Sequence, residues 1–355
     1  MKKNGFKLKE KWVEVPIVQG GMGVGISLGG LAGAVAKAGG VGLISTAQIG
    51  FKEPDFDQAP LVANIRAMQK EYDKARETSP FGVVGFNIMT ALANYKEYVT
   101  RACELGADVI VSGAGLPVDL PAYVEGFDTA IAPIVSTVKS AKTLLRYWAK
   151  KYDRIPDLLV IEGPMAGGHL GFTTEQLAAY GEPNENAYEV EIQAILREKE
   201  KWEKEYNKKI PVVVAGGIDS REAVTRAMNL GADGVQVGTR FVTTVECDAS
   251  LEYKMQYLNV DKNDIKIIKS PVGMPGRAIE TPWLKRIRNG EKETIRKCHA
   301  CLKHCDRKSI PYCITDALIA AAKGDMEHGL VFCGANVYKL KKLEKVAEVI
   351  DSLMK

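Results

Sequence analysis

Short apolar runs recur along the first two thirds of the chain, at residues 16–19, 41–45, 81–87, 108–111, 130–135, 158–161, 211–215 and 234–237. Each is nearly continuous in Val, Ile, Leu, Ala or Phe, which suits strands of a parallel sheet covered on both faces. Between them the pattern shifts to helical spacing, over 28–38, 58–77, 95–105, from near Thr137, and over 187–207. Gly39-Gly40 stops the first of these helices and Gly106 the third. Eight alternating units over roughly 240 residues predict an α/β fold of the (β/α)8 TIM-barrel type. A doubly wound open sheet is the alternative, but the count of eight and the absence of a central break favour the barrel.

In a barrel, chemistry collects at the C-terminal ends of the strands. There stand Gly20-Gly21-Met22-Gly23-Val24-Gly25, Asn87, and Ser112-Gly113-Ala114-Gly115. Residues 170–187 read as an extended loop with a turn at Gly181-Glu182-Pro183-Asn184, and the mixed charges of 197–209 as a solvated helix face. From about residue 245 the rhythm stops. Residues 245–297 read as irregular helices with a loop at 271–276, followed by a cysteine-rich segment and a final helix over 335–355. The expected division is a barrel over 1–245 and a helical extension over 246–355 that packs on it.

Composition narrows the function. The 355 residues are 46% hydrophobic and 26% charged, with a net charge of +4 and no dense basic cluster, which argues against nucleic acid as the main partner. No apolar run is long enough to span a bilayer, and the N-terminal segment lacks the apolar core of a secretory signal. The expectation is a cytoplasmic protein with a small-molecule substrate and no membrane partner, with room for a homodimer. Seven cysteines in such a chain suggest thiols or a metal site rather than disulfides.

The stretch that carries most chemistry runs from Glu162 to Phe172, at the end of the sixth strand. Its glycines allow close backbone approach to a ligand. Its His169 is the only histidine outside the last 60 residues, and imidazole is suited to moving protons near neutral pH. Ala215-Gly216-Gly217-Ile218-Asp219-Ser220 and Val237-Gly238-Thr239-Arg240-Phe241 follow strands seven and eight, where barrels bind phosphate through backbone N–H groups. Asp219 or Ser220 as a simple N-cap explains the serine but not the paired glycines. Other motifs fail. Ile26 stands where a dinucleotide fingerprint needs its third glycine, and Ser27, within Gly25-Ile26-Ser27-Leu28-Gly29, reads as a helix N-cap rather than a nucleophile.

Together, Gln19-Gly20-Gly21-Met22, Gly85-Phe86-Asn87, Glu162 to Gly171, Ala215-Gly216-Gly217-Ile218 and Gln236-Val237-Gly238-Thr239-Arg240-Phe241 resemble the nitronate monooxygenase (2-nitropropane dioxygenase) family, which includes flavin-type enoyl-ACP reductases. The resemblance covers about residues 13–245. It implies a TIM barrel binding FMN non-covalently, with Gly21 and Met22 against the flavin ring. It further implies Asn87 and Lys139 as flavin or phosphate contacts, Gly216, Gly217, Gly238 and Thr239 as the phosphate cradle, and His169 as the catalytic histidine. Gly20, Glu162, Gly167, Gly168, Gln236 and Val237 complete the cofactor-contacting set. Glu162 and Met165 depart from the family pattern, which usually has Gln and Glu at those positions.

Cys298, Cys301, Cys305 and Cys313 are spaced C-x2-C-x3-C-x7-C. Zinc would accept four thiolates, or a mixture with His299 or His304, and a [4Fe-4S] cluster would also take four thiolates. The first three resemble the cluster motif of old-yellow-enzyme-like dienoyl reductases; packing without metal is the third option. Cys103, Cys247 and Cys333 read as small core residues. The chain is thus expected to be an FMN-dependent oxidoreductase, oxidising alkyl nitronates with O2. An NAD(P)H-dependent enoyl or enoate reductase with an iron–sulfur cluster is the alternative, and a non-catalytic flavin-binding protein the third reading. Nucleotide monophosphate dehydrogenases would need a catalytic cysteine after strand six, and none lies between Cys103 and Cys247.

Overall fold

The computed structural model of the chain describes residues 5–181, 186–295 and 297–355. Most of the turn expected at 181–184 therefore lies outside the described residues. Eight parallel strands close into a barrel. They are β1 (Ile17–Gln19), β2 (Val41–Ser45), β3 (Val83–Met89), β4 (Val109–Gly113), β5 (Ala130–Val135), β6 (Leu159–Glu162), β7 (Val212–Ala215) and β8 (Gly234–Val237). The order follows the chain, and β8 closes on β1 with Gln236 beside Val18 and Val237 beside Gln19. All eight predicted strands form, within a residue or two of their expected ends.

Alternation along each strand divides the core in two. Val18, Leu43, Val109, Val111, Val160 and Val213 point into the barrel and form one buried cluster. Ile17, Ile44, Phe86, Ile110, Ile161 and Val214 point outward, against the helices. This period-two division is what a strand's geometry imposes. An N-terminal hairpin, Phe6–Leu8 with Lys11–Val13, joins the inner cluster through Phe6, Leu8 and Val13. Those side chains fill the end of the barrel opposite the glycine loops.

Several local expectations hold. Thr137 caps the helix Val138–Tyr152 through a capping box with Ser140, and Ser220 caps Arg221–Asn229. Others need correction. Ser27 is not an N-cap: its hydroxyl turns back to the backbone of Met22, accepting from the N–H at 2.8 Å and donating to the C=O at 3.2 Å. The helix Gly29–Lys37 is instead capped by the distant Asp248 carboxylate, which accepts from the N–H groups of Leu28, Gly30 and Leu31. The loop expected over 170–187 contains a helix, Thr174–Tyr180, started by a Thr173–Gln176 capping box.

The extension is not all helix. After Leu251–Asn259 come two antiparallel strands, β9 (Ile265–Lys269) and β10 (Pro275–Ile279). The β-branched Ile265, Ile267 and Ile268 ahead of a Pro/Gly-rich turn favour a hairpin over a helix. The final helix is shorter than expected, Val346–Met354. Residues 335–345 are held by tertiary contacts instead, as where Ala335 N–H donates to Met165 C=O. One buried cluster unites barrel residues with Tyr253, Ile279, Val331, Cys333, Val346 and Leu353 of the extension. Among the described residues no helix is long and apolar enough to cross a membrane.

The barrel plug gives a direct test. Phe6, 4% exposed, fills the closed end, so Phe6→Ala is expected to lower the unfolding free energy by about 3–5 kcal/mol in denaturant titrations. A loss below about 1 kcal/mol would place it among ordinary surface changes.

Candidate active site at the barrel mouth

The strand ends and the extension enclose a cavity. Gly20, Gly21 and Met22 after β1, Asn87 on β3, and Glu162 at the end of β6 border it, followed by Gly167, Gly168 and His169. The loops after β7 and β8 contribute Gly216, Gly217, Gly238 and Thr239, and β8 itself Gln236 and Val237. Lys139 does not belong there. It sits in the first turn of Val138–Tyr152, exposed and outside the cavity lining.

His169 is held from several sides. It forms a two-residue strand, Gly168–His169, paired with Gly276 and Arg277 of β10. Its Nε2 lies 2.7 Å from the Ser270 hydroxyl, and Phe332 meets the ring edge-on at 4.9 Å. Burial pulls its pKa down to about 4, so the imidazole is neutral at physiological pH. Because Ser270 fixes one nitrogen, the ring orientation is set before any ligand enters.

Glu162 faces the cavity yet is enclosed by protein. Burial pushes its carboxyl up to about 8, and the nearby Arg277 guanidinium only partly counters this. Arg277 itself donates to the Ala166 C=O. Tyr188 ties down the strand end by donating to the C=O groups of Ser136 at 2.8 Å and Glu162 at 3.0 Å. Cys333, read from sequence as a plain core residue, is buried but also borders the cavity; burial raises its thiol to about 12, leaving it protonated.

The glycine loops have the shape of an anion cradle. Gly216 and Gly217 both take left-handed backbone, φ +92° and +77°, where a Cβ on Gly216 would come within 2.9 Å of the Gly163 carbonyl oxygen. Successive N–H groups in such a turn form a concave site for oxyanions. Nearby, Gln236 Oε1 is buried with no hydrogen-bond partner in the protein. Gly21 packs so tightly on Asn87 that a Cβ would overlap its side chain. Sequence reasoning missed Ser270, Arg277, Tyr253, Tyr257 and Phe332, all supplied by the extension. The Cys333-Gly334-Ala335-Asn336 run was the available signal, a small-residue stretch like the glycine loops.

The four cysteines lie apart from this lining. Among the described residues no three His, Cys, Asp or Glu side chains are arranged to hold a metal. Their segment packs on the loop after β3, where Ala93 N–H donates to Cys301 C=O at 3.0 Å.

The profile of the nitronate monooxygenase family matches residues 6–355. The chain belongs to the nitronate monooxygenase family. It is 24% identical over 303 residues to a probable nitronate monooxygenase of Bacillus subtilis, covering 79% of this chain and 80% of that one. It is 25% identical over 280 residues to a Mycobacterium tuberculosis (3aS,4S,5R,7aS)-5-hydroxy-7a-methyl-1-oxo-octahydro-1H-indene-4-carboxyl-CoA dehydrogenase, covering 79% and 67%. The solved structure of FabK from Thermotoga maritima superposes with a TM-score of 0.71 at 25% identity, covering 96% of this chain and 92% of that one. Family membership makes the chain an oxidoreductase. Glu162 and Met165 both border the cavity, the carboxyl at the end of β6.

Those shifts predict a pH signature. The folded state holds the Glu162 proton up to about pH 8, whereas the unfolded carboxyl loses it near 4.5. Its contribution to stability is therefore full below 4.5 and is lost as pH rises through 8. His169 acts in the opposite sense at lower pH, because its folded value, about 4, lies below the unfolded 6.5. Glu162→Gln is expected to flatten the decline in unfolding midpoint between roughly pH 5 and pH 8. An unchanged slope would show that Glu162 is ionised in the folded protein.

Proposed function

We propose that this chain is an FMN-dependent oxidoreductase that oxidises alkyl nitronates with O2. The observation that carries the reading is the placement of a neutral, oriented His169 in one cavity with the double-glycine cradle. The residues fit FMN: Gly216, Gly217, Gly238 and Thr239 would hold its phosphate, and Gly20, Gly21, Met22 and Gln236 would meet the ring system. The unpartnered Gln236 Oε1 and the left-handed glycines are the features that fit such a ligand. FMN, when bound, supplies two-electron chemistry and reactivity toward O2.

This chain's residues do the rest. His169, free of charge, takes a proton from the carbon beside a nitro group, or orients a nitronate already formed. Ser270 keeps the ring in place during that transfer. Phe332, Tyr253 and Tyr257 wall the cavity and exclude water, which strengthens polar contacts within. Protonated Glu162 adds a hydrogen-bond donor without a negative charge. In this reading 1–245 form the catalytic barrel and 246–355 an extension that completes it, in a cytoplasmic protein with room for a homodimer.

A second reading, NAD(P)H-dependent reduction of an enoyl thioester, is favoured by the likeness to FabK over 96% of the chain. There His169 would place the substrate carbonyl or protonate the product.

Anaerobic absorption spectra separate the two. The purified protein is expected to show flavin bands that a nitronate alone bleaches and NAD(P)H alone does not. Bleaching by NAD(P)H with no response to nitronate would support the reductase, and absence of flavin would sink both. His169→Ala is expected to keep its flavin and lose about 10²–10⁴-fold in turnover. Full activity in that variant would make His169 structural.

A further inference from the structure

The four-cysteine segment is the one chemistry-bearing motif that the proposed oxidoreductase site leaves unused. Between Cys298 and Cys313 the chain forms no helix and no strand beyond a single bridge from Leu302 to Leu92. All four sulfurs are free, two exposed (Cys298, Cys305) and two half-buried (Cys301, Cys313). All four fall within 16 residues of chain, spaced C-x2-C-x3-C-x7-C.

The surroundings favour a cation. Cys313 occupies the N-cap of the nine-residue helix Ile314–Ala322, whose N-terminus favours a thiolate. Thr315 hydrogen-bonds the Cys301 sulfur. An independent observation comes from His299. Its side chain is 5% exposed, stacks on Phe56 at 5.1 Å, and sets Nε2 3.1 Å from the Asp316 carboxylate. Its Nδ1 is buried with no hydrogen-bond partner. One imidazole nitrogen oriented by a carboxylate and the other left bare is the arrangement that supports histidine as a metal ligand.

We propose that residues 298–313 close around one soft metal centre, zinc or an iron–sulfur cluster, with ligands drawn from Cys298, Cys301, Cys305, Cys313 and His299. As described, these side chains do not form a converged ligand set; metal entry draws the irregular segment together, and each thiol that ligates gives up one proton. The centre would lie on one side of the cavity. The segment is pinned to the loop after Met89, with Lys303 N–H donating to Ala91 C=O at 3.0 Å. Met89 and Leu318, from the helix that Cys313 caps, both line the cavity.

The test is metal and sulfide analysis of the full chain purified without oxygen or chelator, with flavin content measured on the same sample. About one zinc per chain, or up to about four irons with matching sulfide, is expected; iron with sulfide identifies a cluster, and zinc a structural ion. The variant with all four cysteines changed to serine is expected to lose the metal and keep its flavin. Asp316→Asn is expected to weaken metal retention about 10-fold or more in a chelator competition. Metal-free protein with four thiols open to a thiol reagent would overturn the proposal, as would full metal content in the four-serine variant. Because flavin is read separately, loss of the metal centre and loss of the flavin site are distinguishable. Should the four-serine variant misfold, adding zinc or iron and sulfide to chelator-treated native protein gives the same decision.

Discussion

Two backbone pairings hold the site together: His169 with Gly276, and Gly168 with Arg277. A barrel strand end is normally followed by a loop whose position only the barrel sets. Here that loop becomes the edge of a three-stranded sheet built mostly from residues a hundred positions later. The same hairpin turn supplies Ser270 to the imidazole, and β10 supplies Arg277 to the Ala166 carbonyl. The catalytic candidate is thus oriented by the extension, while the barrel supplies the floor beneath it. Preorganisation of this sort lets a polar group act without first being ordered by its ligand.

The cavity's ionisable groups are mostly discharged. His169 is pulled down, while Glu162 and Cys333 are pushed up, each by burial as the leading cause. Tyr253 and Tyr257 are raised for the same reason. The charges that remain on the lining are held in ion pairs, Arg240 with Glu344 and Asp219 with Lys339. A ligand entering such a place meets oriented dipoles and apolar walls rather than free charges. That suits carbon acids and neutral thioesters alike, which is why the family's chemistry is easier to assign than its substrate.

What could be read from the chain alone follows from which interactions are local. The eight strands were visible because parallel barrel strands are buried on both faces and end in glycine, so both signals lie within a few residues. The cavity-lining glycines, Asn87, Gln236 and His169 followed from their place at those strand ends. Ser270 and Arg277 were not visible, because they matter only through pairing across a hundred residues. Lys139 was misplaced because a helix-start lysine looks the same whether the first turn faces the cavity or, as here, solvent. The hairpin Ile265–Ile279 was mistaken for irregular helix because its flanking charges obscured the β-branched run. Ser27 was mistaken for a cap because the true cap, Asp248, lies in another part of the chain.

That last contact has a consequence for synthesis. Helix Gly29–Lys37 is made well before the carboxylate that satisfies its opening N–H groups, which belongs to residue 248. At ordinary translation speeds that carboxylate follows on the order of 10–40 s later. Closure of β8 on β1 imposes a similar wait, since Val237 must reach Gln19. The nascent N-terminal half therefore exposes an open sheet edge and an unfinished helix for much of its synthesis. Exposure continues beyond residue 248, because Val331, Val346 and Leu353 of the extension belong to the same buried cluster as the barrel.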